Sequence, residues 1–375
     1  MNSLTIPLSS PDITESEIEA VAATLRSPQL SLGPRLLEFE ASFAQLTGVD
    51  YAVAVSSGTA GLHLAMLAIG IRAGDEVIVP SFTFIAAANA IRYVGATPVF
   101  VDIDCVTLNL SPVAVERAIT TRTRAIVAVH TFGVPADMPA LIAIARSHEL
   151  VLIEDACEAL GATIDSRAIG SFGDVSVFAF YPNKQITTGE GGMIVTRNEG
   201  LAARMRSLRN QGRGVSDEWL QHTEIGYNYR LSEIACTLGI GQMRRLGSIL
   251  DRREEVARLY RRYLGSESGL TLPVDAIPGV RVSWFVYVVR LVDSFSGTQR
   301  NEVIRDLQQA GIGCGRYFAP IHLQPAYADL AAREDLRVTE SVAARTIALP
   351  FFNRINDSQV SAVCDVLKQA LRRIS

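Results

Sequence analysis

At 375 residues the chain is longer than the roughly 250–300 residues that one hydrophobic core usually organises, so a large domain with a smaller companion is expected. Its composition, 48% hydrophobic and 20% charged, excludes long disorder and a continuous coiled coil. A formal net charge of −4 provides no overall field to draw in nucleic acid or an anionic membrane; neither is expected as a partner, and a phosphorylated ligand must be held by local groups.

The segment from Met1 to Asp12 has no basic stretch leading into an apolar core, and no apolar run approaches the ~20 residues of a spanning helix, so neither a signal peptide nor a membrane span is expected. The five cysteines are odd in number and lack C-x-x-C spacing, which points away from disulfides and zinc and towards a reducing, cytoplasmic setting. From Tyr51 onward, short β-branched runs alternate with helical patterns. Strands are expected at 51–55, 76–79, 98–101, 125–129, 150–153, 175–180 and 192–196, with helices at 59–69, 84–94, 113–119, 139–148 and 201–209. Strands this short, apolar throughout and separated by helices imply an α/β, doubly wound domain: a seven-stranded, mostly parallel sheet between helices. The alternation stops near Tyr229. A helical stretch over 232–264, a loop with Pro273, Pro278 and Gly279, a strand over 284–291 and helices at 300–310 and 357–373 read as a smaller α+β domain. The expected division is 1–245 and 246–375.

In open α/β sheets ligands bind outside the carboxyl ends of the strands, so the residues that follow each strand are the candidates. After the first strand, Ser56-Ser57-Gly58-Thr59-Ala60-Gly61 runs into a helix whose free N–H groups favour a phosphate; equally, Ser57 or Thr59 serves as an N-cap at a tight turn. After the fifth come Glu154 and Asp155. Successive strand residues point to opposite faces, so at most one of these acids aims into a site, where it would hold a heterocyclic nitrogen protonated; otherwise Asp155 caps the next segment. After the sixth comes Lys184, one of only two lysines in the chain. A lone lysine in a polar turn is ordinarily a solvated charge, but burial beside other cations would make the amine nucleophilic. A phosphate turn, an acid for a ring nitrogen and an amine for a carbonyl, all at strand ends of one sheet, fit pyridoxal 5′-phosphate (PLP).

These landmarks resemble the DegT/DnrJ/EryC1/StrS family of PLP-dependent sugar aminotransferases, which share fold type I. The likeness runs over nearly the whole chain, through Gly74-Asp75-Glu76, Glu154-Asp155-Ala156-Cys157-Glu158, Gly170-Ser171-Phe172-Gly173-Asp174, the Lys184 loop, Gly226-Tyr227-Asn228-Tyr229-Arg230 and His322-Leu323-Gln324-Pro325. The resemblance implies that Lys184 bonds to the cofactor and shuttles the proton, and that Asp155 pairs with the pyridine nitrogen. It implies that Phe84 stacks on the ring, that Gly58 and Thr59, with Ser57 in the same turn, receive the phosphate, and that Glu158 lies near the phenolic oxygen. Asn228 would reach the phosphate of a neighbouring subunit's cofactor, implying a homodimer with shared active sites. Many relatives carry serine where this chain has Ala179, so one phosphate hydrogen bond is lost. An ionised Glu158 would repel a phenolate, so this side chain is expected to be protonated or turned aside.

The implied reaction is a ping-pong transamination, with L-glutamate as donor, PMP as the intermediate cofactor form, and a nucleotide-linked 3- or 4-keto hexose as acceptor. Arg213, Glu190 and His322 are the substrate-side candidates; Arg213 belongs to a run with Arg204, Arg206 and Arg209 that either meets a diphosphate or forms a solvated helix face. His322 either lines the sugar pocket or supports its loop. The rival readings are a cyclic polyol ketone as acceptor, or a non-catalytic binder that kept the fold. No metal ligand set is expected.

Overall fold

The structure, a computed structural model, describes residues 6–214, 221–330 and 334–374. The first five residues of the segment read as lacking a leader lie outside these ranges. In chain order, β1 (Tyr51–Val55), β2 (Glu76–Pro80), β3 (Thr97–Val101), β4 (Thr123–Val129) and β5 (Val151–Asp155) are followed by the short β6 (Thr163–Ile164) and β7 (Arg167–Ala168), then β8 (Val175–Ala179) and β9 (Gly192–Thr196). Seven of them form one sheet in the order β1-β9-β8-β5-β4-β2-β3. Their apolar, β-branched residues are buried on both faces, which is why they read as unbroken hydrophobic runs. β9 alone runs antiparallel, to β1 and to β8; the other pairs are parallel. Six strands therefore point one way. The ends of β1, β5 and β8 share an edge with the start of β9, and that edge carries the site.

Two helices, α1 (Glu15–Leu25) and α2 (Pro34–Thr47), occupy a region the strand–helix alternation leaves unassigned. Phe39 and Phe43 of α2 pack on Phe180 and Phe178 beside the sheet, with centroids 5.4 and 4.9 Å apart. α3 (Gly58–Ala68), α4 (Ala86–Tyr93), α5 (Pro112–Ala118), α6 (Met138–Ser147) and α7 (Glu199–Arg209) then alternate with strands. The helical stretch expected over 232–264 divides into α8 (Glu233–Arg244) and α9 (Leu246–Leu264). The break falls at Arg245 (φ −114°, ψ 16°), whose guanidinium reaches Glu17 at 2.7 Å and Asp12 at 2.9 Å. This anchor lets α8 pack on α1 and α2 while α9 turns into the C-terminal core.

There, β10 (Leu270–Thr271), β12 (Tyr287–Leu291) and β13 (Thr346–Leu349) form a three-stranded sheet, and β11 (Val280–Arg281) joins the β6–β7 ribbon. α10 (Gly297–Gln309), α11 (Arg337–Arg345) and α12 (Asp357–Ile374) pack with them. The strand expected from 284 begins only at Tyr287, because the carbonyls of Trp284 and Phe285 are taken by the Arg253 guanidinium, at 3.3 and 3.1 Å. Ile6 also belongs to this C-terminal core: it pairs with Ile312 and is stitched in by Ile6 N–H to Gly311 O (3.0 Å) and Gly313 N–H to Ile6 O (2.8 Å). No helix among the described residues is long and apolar enough to cross a membrane.

Candidate active site

The turn after β1 is pressed onto the sheet edge by glycines. A Cβ on Gly58 would stand 2.7 Å from the Ala179 Cβ and 3.0 Å from the Cys157 sulfur, and one on Gly192 would stand 2.7 Å from the Ser57 backbone. Neither position admits a side chain without moving the turn away from β8 and β9. Ser57 is the N-cap of α3: its hydroxyl accepts from Ala60 N–H at 3.0 Å. Gly58 and Thr59 then open the helix, with the first backbone N–H groups lacking intrahelical acceptors.

At the end of β5 the two adjacent acids part. Glu154 is fully buried and receives N–H groups of Gly170 (2.9 Å), Phe172 (2.8 Å) and Gly173 (2.6 Å), the Ser176 hydroxyl (2.8 Å) and His130 Nε2 (3.1 Å). His130 Nδ1 accepts from Ala136 N–H at 3.0 Å, which places the ring's own proton on Nε2, facing Glu154. Burial opposes ionisation of Glu154, but His130 and the backbone donors outweigh it and hold the carboxyl below its usual range. Asp155 points the other way, into a cleft of about 650 Å³, where its Oδ1 accepts from Cys157 N–H at 3.2 Å.

The Lys184 turn follows β8. Lys184 Nζ lies 3.9 Å above the centre of the Phe285 ring and 3.6 Å from Glu158 Oε1. Glu158 Oε2 accepts from Phe132 N–H at 2.8 Å. Burial raises the Glu158 pKa and the charge of Asp155 adds to this, against the opposing pull of Lys184 and the Phe132 amide. Burial likewise pushes the Cys157 thiol well up, with Asp155 contributing. The turn is fastened from behind by α9: Arg253 donates to Lys184 O at 3.0 Å as well as to the Trp284 and Phe285 carbonyls. Burial pushes this guanidinium down to about 10. Gln185 ties the same turn to Glu158 O (2.6 Å) and the Ser283 hydroxyl (3.0 Å).

Ser57, Gly58, Thr59, Phe84, Asp155, Glu158, Lys184 and Glu190 thus line one cleft, and Phe84 offers it an aromatic side chain that is 60% exposed. The other three candidates do not line it. Asn228 lies in a backbone bridge to Asn210, and Arg213 donates its N–H to Asn210 O at 3.2 Å. The His322 ring is clamped between the Ser81 hydroxyl (2.7 Å) and Glu340 (3.2 Å), the loop-supporting arrangement. Arg204, Arg206 and Arg209 are tied into the fold, bonding to Ala68 O (3.2 Å), Ala52 O (3.0 Å) and Glu40 (2.5 Å) respectively; Arg204 is exposed, Arg206 half-buried and Arg209 buried. The cleft also contains groups that the strand-end reading passes over: Phe285, and the run Arg316, Tyr317 and Phe318. Tyr317 and Phe318 stack on each other at 5.1 Å, and Phe318 stacks on Phe132 at 5.3 Å. Only Arg253 left a trace in the sequence, as a charge on the apolar stripe Ile249, Leu250, Val256, Ala257 and Tyr260 of α9.

The donor set fits PLP. The Lys184 amine, the Asp155 carboxylate lining the same cleft, a helix N-terminus packed too closely for any side chain at Gly58, and the buried Asn183 Oδ1 without a partner are polar groups that a phosphorylated, charged heterocycle satisfies.

Residues 11–368 match the DegT/DnrJ/EryC1/StrS aminotransferase family. GDP-perosamine synthase of Caulobacter vibrioides is 43% identical over 342 residues, 91% of each chain. Among solved structures, DesV of S. venezuelae superposes with a TM-score of 0.91 at 37% identity, covering 99% of this chain and 100% of that one. Spr1654 of Streptococcus pneumoniae, solved in PMP and PLP forms, gives 0.93 at 29% identity; the PMP form covers 98% of its own chain and 99% of this one.

Proposed function

The chain belongs to the DegT/DnrJ/EryC1/StrS aminotransferase family and is a PLP-dependent aminotransferase, and from that premise we propose that it moves the amino group of L-glutamate onto a nucleotide-linked 3- or 4-keto hexose. The observation that carries the reading is the convergence of Lys184, Asp155 and the Gly58 turn on one cleft at the carboxyl edge of the sheet. The name of the Caulobacter relative, a synthase of a GDP-linked amino sugar, supports the acceptor class.

Bound in the cleft, PLP supplies an electron-withdrawing ring that stabilises negative charge on the carbon carrying the amine. The residues supply position and protons. Lys184 Nζ removes the proton from the amine-bearing carbon of the donor and, in the second half, returns a proton to the former keto carbon of the acceptor. Its place above Phe285 fixes the direction from which it acts. Asp155 keeps a proton on the ring nitrogen, the opposite charge favouring the protonated heterocycle. The opening N–H groups of α3 at Gly58 and Thr59 bind the phosphate, and Ala179 contributes no hydroxyl there. Phe84 covers one face of the ring. Glu158, pushed by burial towards its neutral form, avoids repelling an anionic oxygen on the ring. Glu190, on the cleft wall, and Arg213, outside it, are the substrate-side positions of this reading, while His322 supports its loop through Ser81 and Glu340. The working unit is a homodimer in which Asn228 crosses to the phosphate site of the partner subunit.

The test is spectroscopic. PLP-loaded protein is expected to absorb in the visible, to bleach with L-glutamate while releasing 2-oxoglutarate, and to recover its colour on addition of a nucleotide-linked keto hexose. No bleaching by any amino donor would sink the reading; recovery with a cyclic polyol ketone alone would transfer the acceptor to that class.

A further inference from the structure

We propose that Arg316 is the group with which this chain grips the diphosphate of its acceptor, a specificity determinant at the rim of the cleft; the inference rests on the reading of the acceptor as a nucleotide-linked sugar. The arginines of α7 that the sequence offers for this task, Arg204, Arg206 and Arg209, are bonded within the fold. The acids lining the cleft are Asp155, Glu158 and Glu190; the cations are Lys184 and Arg316. Lys184 is committed to the chemistry, and its side chain is only 13% exposed, on the cleft floor. Arg316 remains for the substrate's charge.

Its setting is that of a fixed base with a free fork. Gly315, the preceding residue, exchanges backbone hydrogen bonds with Ala348 of β13 at 2.8 and 3.2 Å, and Tyr317 and Phe318, the following ones, are locked in the aromatic stack on Phe132. The Arg316 side chain itself is exposed and makes no hydrogen bond or ion pair with any described residue. Nearby Arg300 is bonded to the carbonyls of Ala343 (3.1 Å) and Thr346 (3.0 Å) and to Asn301, with no carboxylate, and burial together with the Arg316 charge pushes it down to about 10. Arg300, buried behind the cleft wall without a carboxylate partner, thus adds a second positive charge close to Arg316 rather than an acid that would neutralise it. A guanidinium matches two phosphate oxygens with parallel N–H bonds. The rim position selects the diphosphate over the donor's α-carboxylate: that carboxylate is one bond from the reacting carbon, near Lys184, whereas a diphosphate lies across the sugar ring from a 4-keto group.

Calorimetric titration of the PLP-loaded protein with GDP, UDP and dTDP tests this without turnover. At least one is expected to bind, with affinity falling as salt rises. Arg316→Gln is expected to weaken it about 10- to 100-fold, and Arg316→Lys to recover only part of the loss. In turnover, Arg316→Gln is expected to raise the acceptor's KM by a similar factor with kcat within about threefold, the mark of binding made equally in ground and transition states. Unchanged nucleotide affinity in Arg316→Gln overturns the proposal, as does a loss confined to the L-glutamate half-reaction, which would assign the group to the donor carboxylate. Bleaching by glutamate in a wild-type protein that binds none of the three nucleotides would remove the acceptor class and this proposal while leaving the aminotransferase intact; absence of bleaching would remove the transaminase reading itself.

Discussion

Glu154 and Asp155 are consecutive residues on one strand, yet they belong to two regions under opposite conditions. Behind the sheet edge, Glu154 meets five donors and leaves nothing to satisfy: three loop amides, a serine hydroxyl and a histidine whose tautomer is itself fixed. In front of it, polar groups are underused. Asp155 accepts the Cys157 backbone N–H, Asn183 Oδ1 is buried without a partner, Lys184 Nζ stands 3.6 Å from Glu158, and Arg316 has no partner among the described residues. A saturated carboxylate braces the loop at 170–173; an unsaturated one is available to a ligand. Partner count, more than burial, separates structural from functional charge here, since both acids are buried.

Substitutions on the two faces should therefore fail differently. The largest effect is expected from Lys184→Ala: turnover falls by at least about 10⁴-fold and the visible cofactor band disappears, while the thermal midpoint of the apoprotein hardly moves. A variant that still turns over breaks the assignment of the front face. Next is Glu154→Ala, expected to destabilise by about 3–5 kcal/mol because it strands five buried donors; urea unfolding of the apoprotein measures it. The folded pKa of Glu154 is depressed below 4.5, so its stabilisation is complete above the unfolded value and drains away as pH falls through the folded one. A stability difference between wild type and variant that grew on acidification would contradict this. Asp155→Asn should cost about 10²–10³-fold in kcat with little change in stability, the reverse of its neighbour.

The smallest effect sharpens the comparison at Glu158, which is buried like Glu154 but pushed the opposite way. Its folded pKa is raised above 4.5, so the stability tied to its neutral form is complete below that value and is lost as pH rises through the raised one. Glu158→Gln is expected to flatten this dependence, and to make PLP affinity independent of pH where the wild type's declines, by less than about tenfold. Equal affinity profiles in the two proteins would remove the electrostatic role.

Much of the front face is legible from strand ends alone. β-branched runs mark where the strands stop, and Gly58, Asp155 and Lys184 stand at or just beyond those stops. The same logic states that only one of two adjacent acids can face the site, but not which one; that depends on the loop at 170–173 folding back to claim Glu154. The logic of strand ends does not reach Phe285 and Arg253, which lie 101 and 69 residues downstream of Lys184, respectively, and meet its turn only when the chain folds back.

The sequence by itself determined the alternation of strands and helices, the chemistry placed at the strand ends, and the family whose motifs it carries, because these are written in local periodicity and in short runs of neighbouring residues. Only the tertiary structure decided that β9 runs against its neighbours, that the stretch over 232–264 breaks at Arg245, that the α7 arginines serve the fold, and that Arg316 comes to the rim with its fork unbonded. Each of these depends on which distant groups satisfy a given donor or acceptor. Pairing of that kind is settled when the chain closes on itself, and no window of sequence contains both partners.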